Sequence, residues 1–136
     1  MNTCTQGWFH HISEPEQFYS SGRNGREKYK QVARILKYLR DELHGADPVL
    51  AKPTNNMIDH LVFNCPAPLF NKGDWQTIIH HVLEFLLEAS DNVSQRTRYF
   101  TRQDGVSPLF PNNDLFDEHD VFCFCRALLN YLEQEL

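Results

Sequence analysis

Three cations recur at helical spacing in the stretch REKYKQVARILKYLR, residues 26–40, where Lys30, Arg34 and Lys37 accompany an apolar row. Side chains three or four residues apart lie on one face of a helix, so these cations form a row beside the apolar face. Such a row can bind an anion, because ammonium and guanidinium groups pair with phosphate and carboxylate oxygens.

The charge of the chain is unevenly distributed along the sequence. The net charge is −5, yet residues 23–40 hold seven of the thirteen Lys and Arg residues and one acid, Glu27. This segment therefore carries about +6, and the rest of the chain about −11. Such asymmetry is typical of a surface that meets an anion, but it also fits a solvated helix face. Charge alone leaves both interpretations open.

Apolar residues at helical spacing predict four helices that would position these cations. The first helix covers about 25–43, before the stop signal His44-Gly45. The second follows Thr54, whose hydroxyl suits an N-cap, and ends before Pro66 because a proline restricts the residue that precedes it. These two helices would lie next to each other along the chain, with the cations on the first.

The third helix is predicted to begin after Asp74, a second N-cap, and the fourth near Asp117. Acids in the first turn of the fourth helix favour its N-terminus. Its buried face is predicted to consist of Val121, Phe122, Cys125, Leu128, Leu129 and Leu132. Between the two helices, residues 92–116 form an irregular crossover segment whose aromatic residues predict packing on the core.

These elements predict a mainly α fold, a compact bundle of four or more helices with a long irregular segment before the last. We expect residues 1–136 to form one helical domain, with an N-terminal arm over 1–22. No apolar run is long enough to span a membrane, and no secretory signal is recognisable, so a cytoplasmic location is expected.

The sequence contains none of the common catalytic motifs, such as a Walker loop, GxGxxG, HExxH or GxSxG. Cys123 and Cys125 are two residues apart on a predicted helix, so they point in different directions and suit neither a disulfide nor a shared metal. The neighbours His80 and His81 fail as a metal pair for the same reason. We therefore expect no catalytic residues and no metal site in this chain.

The order of the helical motifs resembles a known family. A long helix reading R-x-x-K-x-L, here residues 34–39, precedes KPTNNMIDHLVFNCP, then the Trp-opened helix of DWQTIIHHVLEFLLEA, then SPLFPNNDLF. This order resembles the substrate-binding C-terminal helical domain of oligoadenylate synthetase, poly(A) polymerase and cGAS/DncV-like nucleotidyltransferases. The catalytic lobe of that family carries a Gly-Ser motif and three metal-binding carboxylates, which this chain lacks. No transferase activity is expected of the chain without a separate catalytic lobe.

The resemblance implies binding roles at two places in the chain. Lys37 matches a lysine that reaches the nucleotide triphosphate, and Arg34 lies one turn earlier, so these residues and Lys30 would bind phosphate. Three polar residues at the start of the second helix would contact the base or sugar, namely Thr54, Asn55 and Asn56. The implied ligand is a magnesium-bound nucleotide, ATP or GTP, and no tightly bound cofactor is expected.

Three functions remain open at this point. The domain could recognise nucleotide phosphates or dock on a catalytic partner, as the resemblance implies. It could also be a small interaction or inhibitor protein, for example encoded by a phage or mobile element and acting on an antiviral defence complex. Binding of long nucleic acid fits least, because the charge of about −11 outside residues 23–40 would repel a polyanion. The sequence leaves the oligomeric state and any protein partner undetermined.

Overall fold

The computed structural model describes residues 24–71, 73–91, 93–94, 96–110 and 117–135, and this part of the chain is mainly α. Its four α-helices confirm the predicted fold class. The predicted N-terminal arm lies outside the described residues. Among the described residues, β-type pairing is limited to one isolated antiparallel bridge between Thr101 and Pro108. No helix in this part of the chain is long and apolar enough to cross a membrane.

The first helix, α1, runs over Asn24–Ala46. Its apolar stripe is buried in the core, where Val32, Leu36 and Leu39 are at most 1% exposed. The helix ends close to the predicted stop near His44-Gly45, but Gly45 remains inside it and does not have a positive φ. The helix instead ends two residues before Pro48, which could not continue it.

The second helix, α2, runs over Asn55–Phe63 and begins as predicted. Thr54 is its N-cap, with extended backbone, and the Thr54 hydroxyl accepts a hydrogen bond from the Met57 amide at 3.2 Å. That contact satisfies one of the free N–H groups in the first turn. A 3₁₀ helix over Ala67–Asn71 follows α2 and carries the buried Phe70.

The third helix, α3, covers Trp75–Ala89, and the fourth, α4, covers Glu118–Glu135. As predicted, the Asp74 carboxylate caps α3 by accepting the Thr77 amide at 2.8 Å. The predicted buried face of α4 requires a correction. Phe124 is 2% exposed, whereas the half-buried Phe122 lies under the Arg126 guanidinium at 5.2 Å. Leu129 is also half-buried and packs against the edge of the core.

Helices α1 and α2 run antiparallel, as two contacts at opposite ends of α2 show. Arg40 donates a hydrogen bond to the Pro53 carbonyl at 3.1 Å, just before α2 begins. About three helical turns earlier on α1, the Tyr29 hydroxyl donates to the Cys65 carbonyl at 2.9 Å, just after α2 ends. This pairing fixes which residues of α1 face which residues of α2.

The core lies among all four helices, with α3 packed along α4 and α1 in contact with both α2 and α4. Its largest fully buried apolar side chains are Phe70, Phe124, Ile35, Leu36, Leu39, Ile58, Leu61, Ile78, Ile79, Leu83 and Leu86. The segment between α3 and α4 closes one side of this core and brings polar residues next to α2.

The described residues between α3 and α4 are irregular, as predicted, apart from a short 3₁₀ helix over Arg96–Tyr99 and the isolated bridge at Thr101 and Pro108. Its predicted packing on the core is confirmed for Phe100, which is 7% exposed and stacks on Phe85 with ring centroids 6.3 Å apart, and for Leu109. The prediction is wrong for Tyr99, whose side chain is 78% exposed.

Candidate functional site

The predicted cation row lies on α1, but its members have different surroundings. Lys30 and Arg34 are exposed, and neither forms an ion pair with another residue in the described part of the chain. Lys37 is partly exposed, and its Nζ lies 2.8 Å from Oδ1 of Asp59 on α2. A phosphate that binds Lys37 must therefore share this ammonium group with the Asp59 carboxylate.

Two other cations of the basic segment do not belong to a free surface. Lys28 is 1% exposed, and its ammonium group donates to Oδ1 of Asn71. Arg40 holds the Pro53 carbonyl and also pairs with Asp41 at 2.9 Å. Lys28 and Arg40 are therefore excluded from the anion-binding surface that the charge of residues 23–40 indicates.

An open groove of about 540 Å³ lies between α1 and α2. It is lined by Tyr29, Lys30, Ala33, Asp59, Val62, Phe63 and Gln103. Its floor consists of the apolar residues Ala33 and Val62, which are 4% and 1% exposed. The Phe63 ring is 40% exposed and remains open to solvent. The groove thus combines apolar surface with a cation, a carboxylate and an amide, a combination typical of small-molecule sites.

The segment that follows Phe100 forms one wall of the groove and is fastened to α2. The Asn64 side chain forms two hydrogen bonds with the backbone of Thr101. Its Nδ2 donates to the Thr101 carbonyl at 2.7 Å, and its Oδ1 accepts a hydrogen bond from the Thr101 backbone amide at 3.0 Å. The backbone amide of Gln103 donates a hydrogen bond to Nδ1 of His60 at 3.2 Å. These contacts place the Gln103 side chain at the edge of the groove.

The Asp104 carboxylate organises the turn just beyond Gln103. It accepts hydrogen bonds from the Ser107 hydroxyl at 2.6 Å and from the backbone amides of Val106 and Ser107. These hydrogen bonds lower the Asp104 pKa to about 2, and the bond from the Ser107 hydroxyl has the largest effect. Because the folded pKa lies below its ordinary value of 3.8, the turn is fully supported above pH 3.8 and loses this support as the pH falls towards 2.

His60 makes the attachment of this segment to α2 sensitive to pH. Desolvation by burial, followed by the nearby Arg102 guanidinium, lowers the His60 pKa below its ordinary value of 6.5. Nδ1 can accept the Gln103 amide only while it is unprotonated. The unfolded chain binds this proton more readily than the folded one, so the contribution of His60 to stability is present above pH 6.5 and lost as the pH falls below it.

We expect acidification from pH 7.5 to 5 to reduce hydrogen-exchange protection at the Gln103 amide, after correction for the intrinsic exchange rate. The turn held by Asp104 should keep its own protection over this range. His60→Asn is the matched control, since its carbonyl oxygen can accept the same bond and does not titrate. Equal pH dependence of Gln103 protection in both proteins would contradict the role given to His60.

The predicted base-contacting residues lie away from the groove. Thr54 uses its hydroxyl to cap α2, and Asn55 and Asn56 are exposed beside it. None of the three lines the groove, whose first lining residue on α2 is Asp59, about 6 Å along the helix from Asn55 at 1.5 Å per residue. The structure therefore brings Lys30 to the groove and Lys37 to its edge, through Asp59, and places residues 54–56 one helical turn before Asp59, outside the groove lining.

Of the residues that line the groove, only Lys30 was predicted as a site residue, and the polar residues Asp59 and Gln103 and the exposed Phe63 are among those that the sequence did not indicate. Asp59 and Phe63 had a usable signal, because an acid and an exposed aromatic residue both occur on the short amphipathic helix next to the cation row. Gln103 had none, since its position depends on a contact with His60 that spans 43 residues.

The described cysteines and the acids at the start of α4 form local contacts. The described part of the chain contains no cluster of three potential metal ligands. Burial raises the pKa of the Cys65 and Cys125 thiols, which keeps them protonated, and Cys123 lies 3.4 Å from the His119 ring nitrogen. The carboxylates of Asp117 and Asp120 accept each other's backbone amides, as expected of helix capping.

A model of the cGAS/DncV-like nucleotidyltransferase C-terminal helical domain matches residues 18–133. This chain belongs to that family. A solved structure of Elizabethkingia meningoseptica CdnE cyclic dinucleotide synthase with GTP and Apcpp is similar to it, with 26% sequence identity and a TM-score of 0.69. The similarity covers 89% of this chain and 45% of the CdnE chain, so the chain spans under half of that synthase. No curated protein matches the chain.

The match confirms the family that the order of motifs predicts. It concerns the helical domain alone, and no catalytic lobe of the cGAS/DncV-like type is detected in the chain. The nucleotides in the CdnE structure are ligands of that protein.

Proposed function

We propose that this cGAS/DncV-like helical domain recognises the phosphates of a nucleotide through the cation row of α1. The observation that carries the proposal is the spacing of Lys30, Arg34 and Lys37, which lie within about 10 Å along one helix, at 1.5 Å per residue. All three charges can therefore act on one polyphosphate. A similar protein, CdnE, was solved with GTP and Apcpp, which supports a nucleotide as the ligand.

Arg34 and Lys30 would make the first contacts, because they are exposed and free of ion pairs with other described residues. Lys37 would join them by sharing its ammonium group between Asp59 and the phosphate. An exposed or partly exposed ion pair is worth about 0–1 kcal/mol, so a multiply charged phosphate can compete with Asp59. Nucleotidyl transfer itself would require the metal-binding carboxylates of a separate catalytic lobe.

We expect Lys37→Glu to weaken binding of Mg·ATP and Mg·GTP at least tenfold in calorimetric titrations at low salt, because it replaces attraction of the phosphate by repulsion. Arg34→Glu should act in the same direction. Arg126→Glu is the matched control, with the same change of net charge on α4, which does not line the groove. Circular dichroism would verify that all variants fold.

The outcome that would overturn the phosphate assignment is binding by Lys37→Glu and Arg34→Glu as tight as binding by Arg126→Glu. Loss of affinity in all three variants would also count against it, since it would indicate a general effect of net charge. Raising the salt concentration should weaken binding by the unmodified chain, because screening reduces the attraction between exposed charges.

Docking on a protein, either a catalytic lobe or the target of an inhibitor, is the second candidate. Three of the exposed large hydrophobic residues, Val93, Tyr99 and Val106, lie in the segment between α3 and α4 and are 78–94% exposed. If these side chains form one contiguous patch, it would favour an interface. Stoichiometric binding of a protein without nucleotide, lost in Tyr99→Ser and kept in Lys37→Glu, would favour this function over phosphate recognition.

A further inference from the structure

We propose that the groove between α1 and α2 binds the N-terminal segment of the same chain, residues 12–19, which read ISEPEQFY. These residues precede the described part of the chain, which begins at Asn24. Aromatic side chains of the N-terminal segment would cover the apolar part of the groove, and its acids would pair with cations of α1. The docking goes beyond nucleotide recognition and does not depend on it.

The exposed Phe63 ring gives the groove a place for an aromatic side chain. Phe63 is 40% exposed at the end of α2, beside the buried floor formed by Ala33 and Val62. Covering this ring with another ring removes apolar surface from water, which is favourable, and aromatic anchors contribute most at protein interfaces. The N-terminal segment provides Phe18 and Tyr19 for this contact.

The charges of the N-terminal segment are complementary to the cation row. Lys30 and Arg34 are exposed, and neither forms an ion pair with another described residue. Both acids of residues 1–23, Glu14 and Glu16, lie in the N-terminal segment, which contains no Lys or Arg. Opposite charges attract each other, so these acids favour docking beside the two cations.

The N-terminal segment is long enough to reach every part of the groove. Tyr29 lies about 7.5 Å and Arg34 about 15 Å along α1 from Asn24, at 1.5 Å per residue. Phe18 is six residues before Asn24 and can lie up to about 20 Å from it, at about 3.3 Å per residue. Glu14 can lie up to about 33 Å from Asn24 by the same measure.

The order of residues in the N-terminal segment also matches the order of the groove residues. Docking requires the chain to reverse just before α1, and residues 20–22, Ser-Ser-Gly, are of the types that favour turns. The bond between Tyr29 and the Cys65 carbonyl places the end of α2, with Phe63, beside the first turns of α1. A chain that runs back along α1 would therefore bring Phe18 to this end first and its acids to the cation row next.

The experiment is a nuclear Overhauser measurement on the isotopically labelled full chain without nucleotide. We expect cross-peaks from the Phe18 ring to the Val62 methyl groups and to the Phe63 ring. Phe18→Ser should remove them and shift the Val62 resonances, whereas Phe9→Ser, the matched control outside residues 12–19, should leave Val62 unchanged. Absence of the cross-peaks, or equal effects of the two substitutions on Val62, would overturn the docking.

Exchange of two charges tests the ion pairs of the docked segment. Glu16→Lys and Lys30→Glu should each lower the ratio of docked to undocked chains about twofold, within the range for an exposed ion pair. The ratio is read from the Val62 resonances, between those of the unmodified chain and those of Phe18→Ser. The double variant should recover the ratio of the unmodified chain, and failure to recover it would contradict this pairing.

Docking between two copies of the chain is the alternative arrangement. In a mixture of chains labelled at Phe with chains labelled at Val, cross-peaks between Phe18 and Val62 can arise only between copies. We expect none, and their presence would overturn docking within one chain. Because these measurements contain no nucleotide, their failure leaves phosphate recognition standing.

The docked acids would also compete with a nucleotide for the cation row, a consequence that rests on the proposed function. Joint replacement Glu14→Gln and Glu16→Gln should tighten binding of Mg·GTP at least about twofold, since it removes that competition. Glu133→Gln on α4 is the matched control and should change it less. Unchanged affinity would contradict competition for the cation row, and absence of binding by the unmodified chain would overturn the proposed function and not the docking.

Discussion

Phe70→Ala should destabilise the domain by about 3–5 kcal/mol, the range found for removal of a large aromatic side chain from a core. Phe70 is 1% exposed, and its ring lies 4.3 Å from the Tyr29 ring at an interplanar angle of 49°. The 3₁₀ helix that carries it contacts both α1 and α3, so its removal would leave a cavity between three elements. Chemical denaturation followed by circular dichroism measures the change in the free energy of unfolding.

Tyr99→Ala is the control for Phe70→Ala, because this aromatic residue is 78% exposed. Its substitution should change the free energy of unfolding by no more than about 0.5 kcal/mol. The packing described for the core would be wrong if Phe70→Ala cost as little as Tyr99→Ala.

Lys28→Glu should cost a similar amount, about 3–5 kcal/mol, the range for an uncompensated buried charge. Lys28 is 1% exposed and donates to Oδ1 of Asn71. A glutamate at this position would bury a negative charge and place one acceptor against another. Lys30→Glu, one half-turn away on the exposed face, should stay within about 0.5 kcal/mol of the unmodified chain in the same denaturation measurement.

Lys28→Met separates the effect of charge from the effect of volume. Methionine retains most of the aliphatic length and buries no charge, so we expect Lys28→Met to cost less than Lys28→Glu in the same denaturation measurement. Equal stability of the Lys28→Glu and Lys30→Glu proteins would show that Lys28 does not need its buried contact.

The helices could be predicted because their signals are local. Thr54 and Asp74 are N-caps in the structure, as their side chains predict, and the apolar period identifies α1, α3 and α4. The burial of Lys28 also had a signal, since it lies four residues before Val32 on the apolar stripe, but charge was given more weight than position. On α4 helical spacing does not separate the two phenylalanines, because Phe122 lies three residues before Cys125 and Phe124 lies four residues before Leu128.

The site could be predicted only in part, because its contacts depend on how the helices pack. The cation row on α1 follows from spacing along one helix, whereas the pairing of Lys37 with Asp59 depends on the register between α1 and α2. The contact between His60 and Gln103 depends in addition on the path of an irregular segment. Local sequence patterns contain no information about either arrangement.

The most direct test of the proposed nucleotide site is an amide NMR titration of the isotopically labelled chain with Mg·GTP. Saturable shift changes should cluster on residues 30–37 of α1 and on Asp59, which pairs with Lys37, and should be weak on α4. The same titration of Lys37→Glu should show at least tenfold weaker binding at the same positions. Absence of saturable changes, or changes centred on α4, would contradict nucleotide recognition by the cation row.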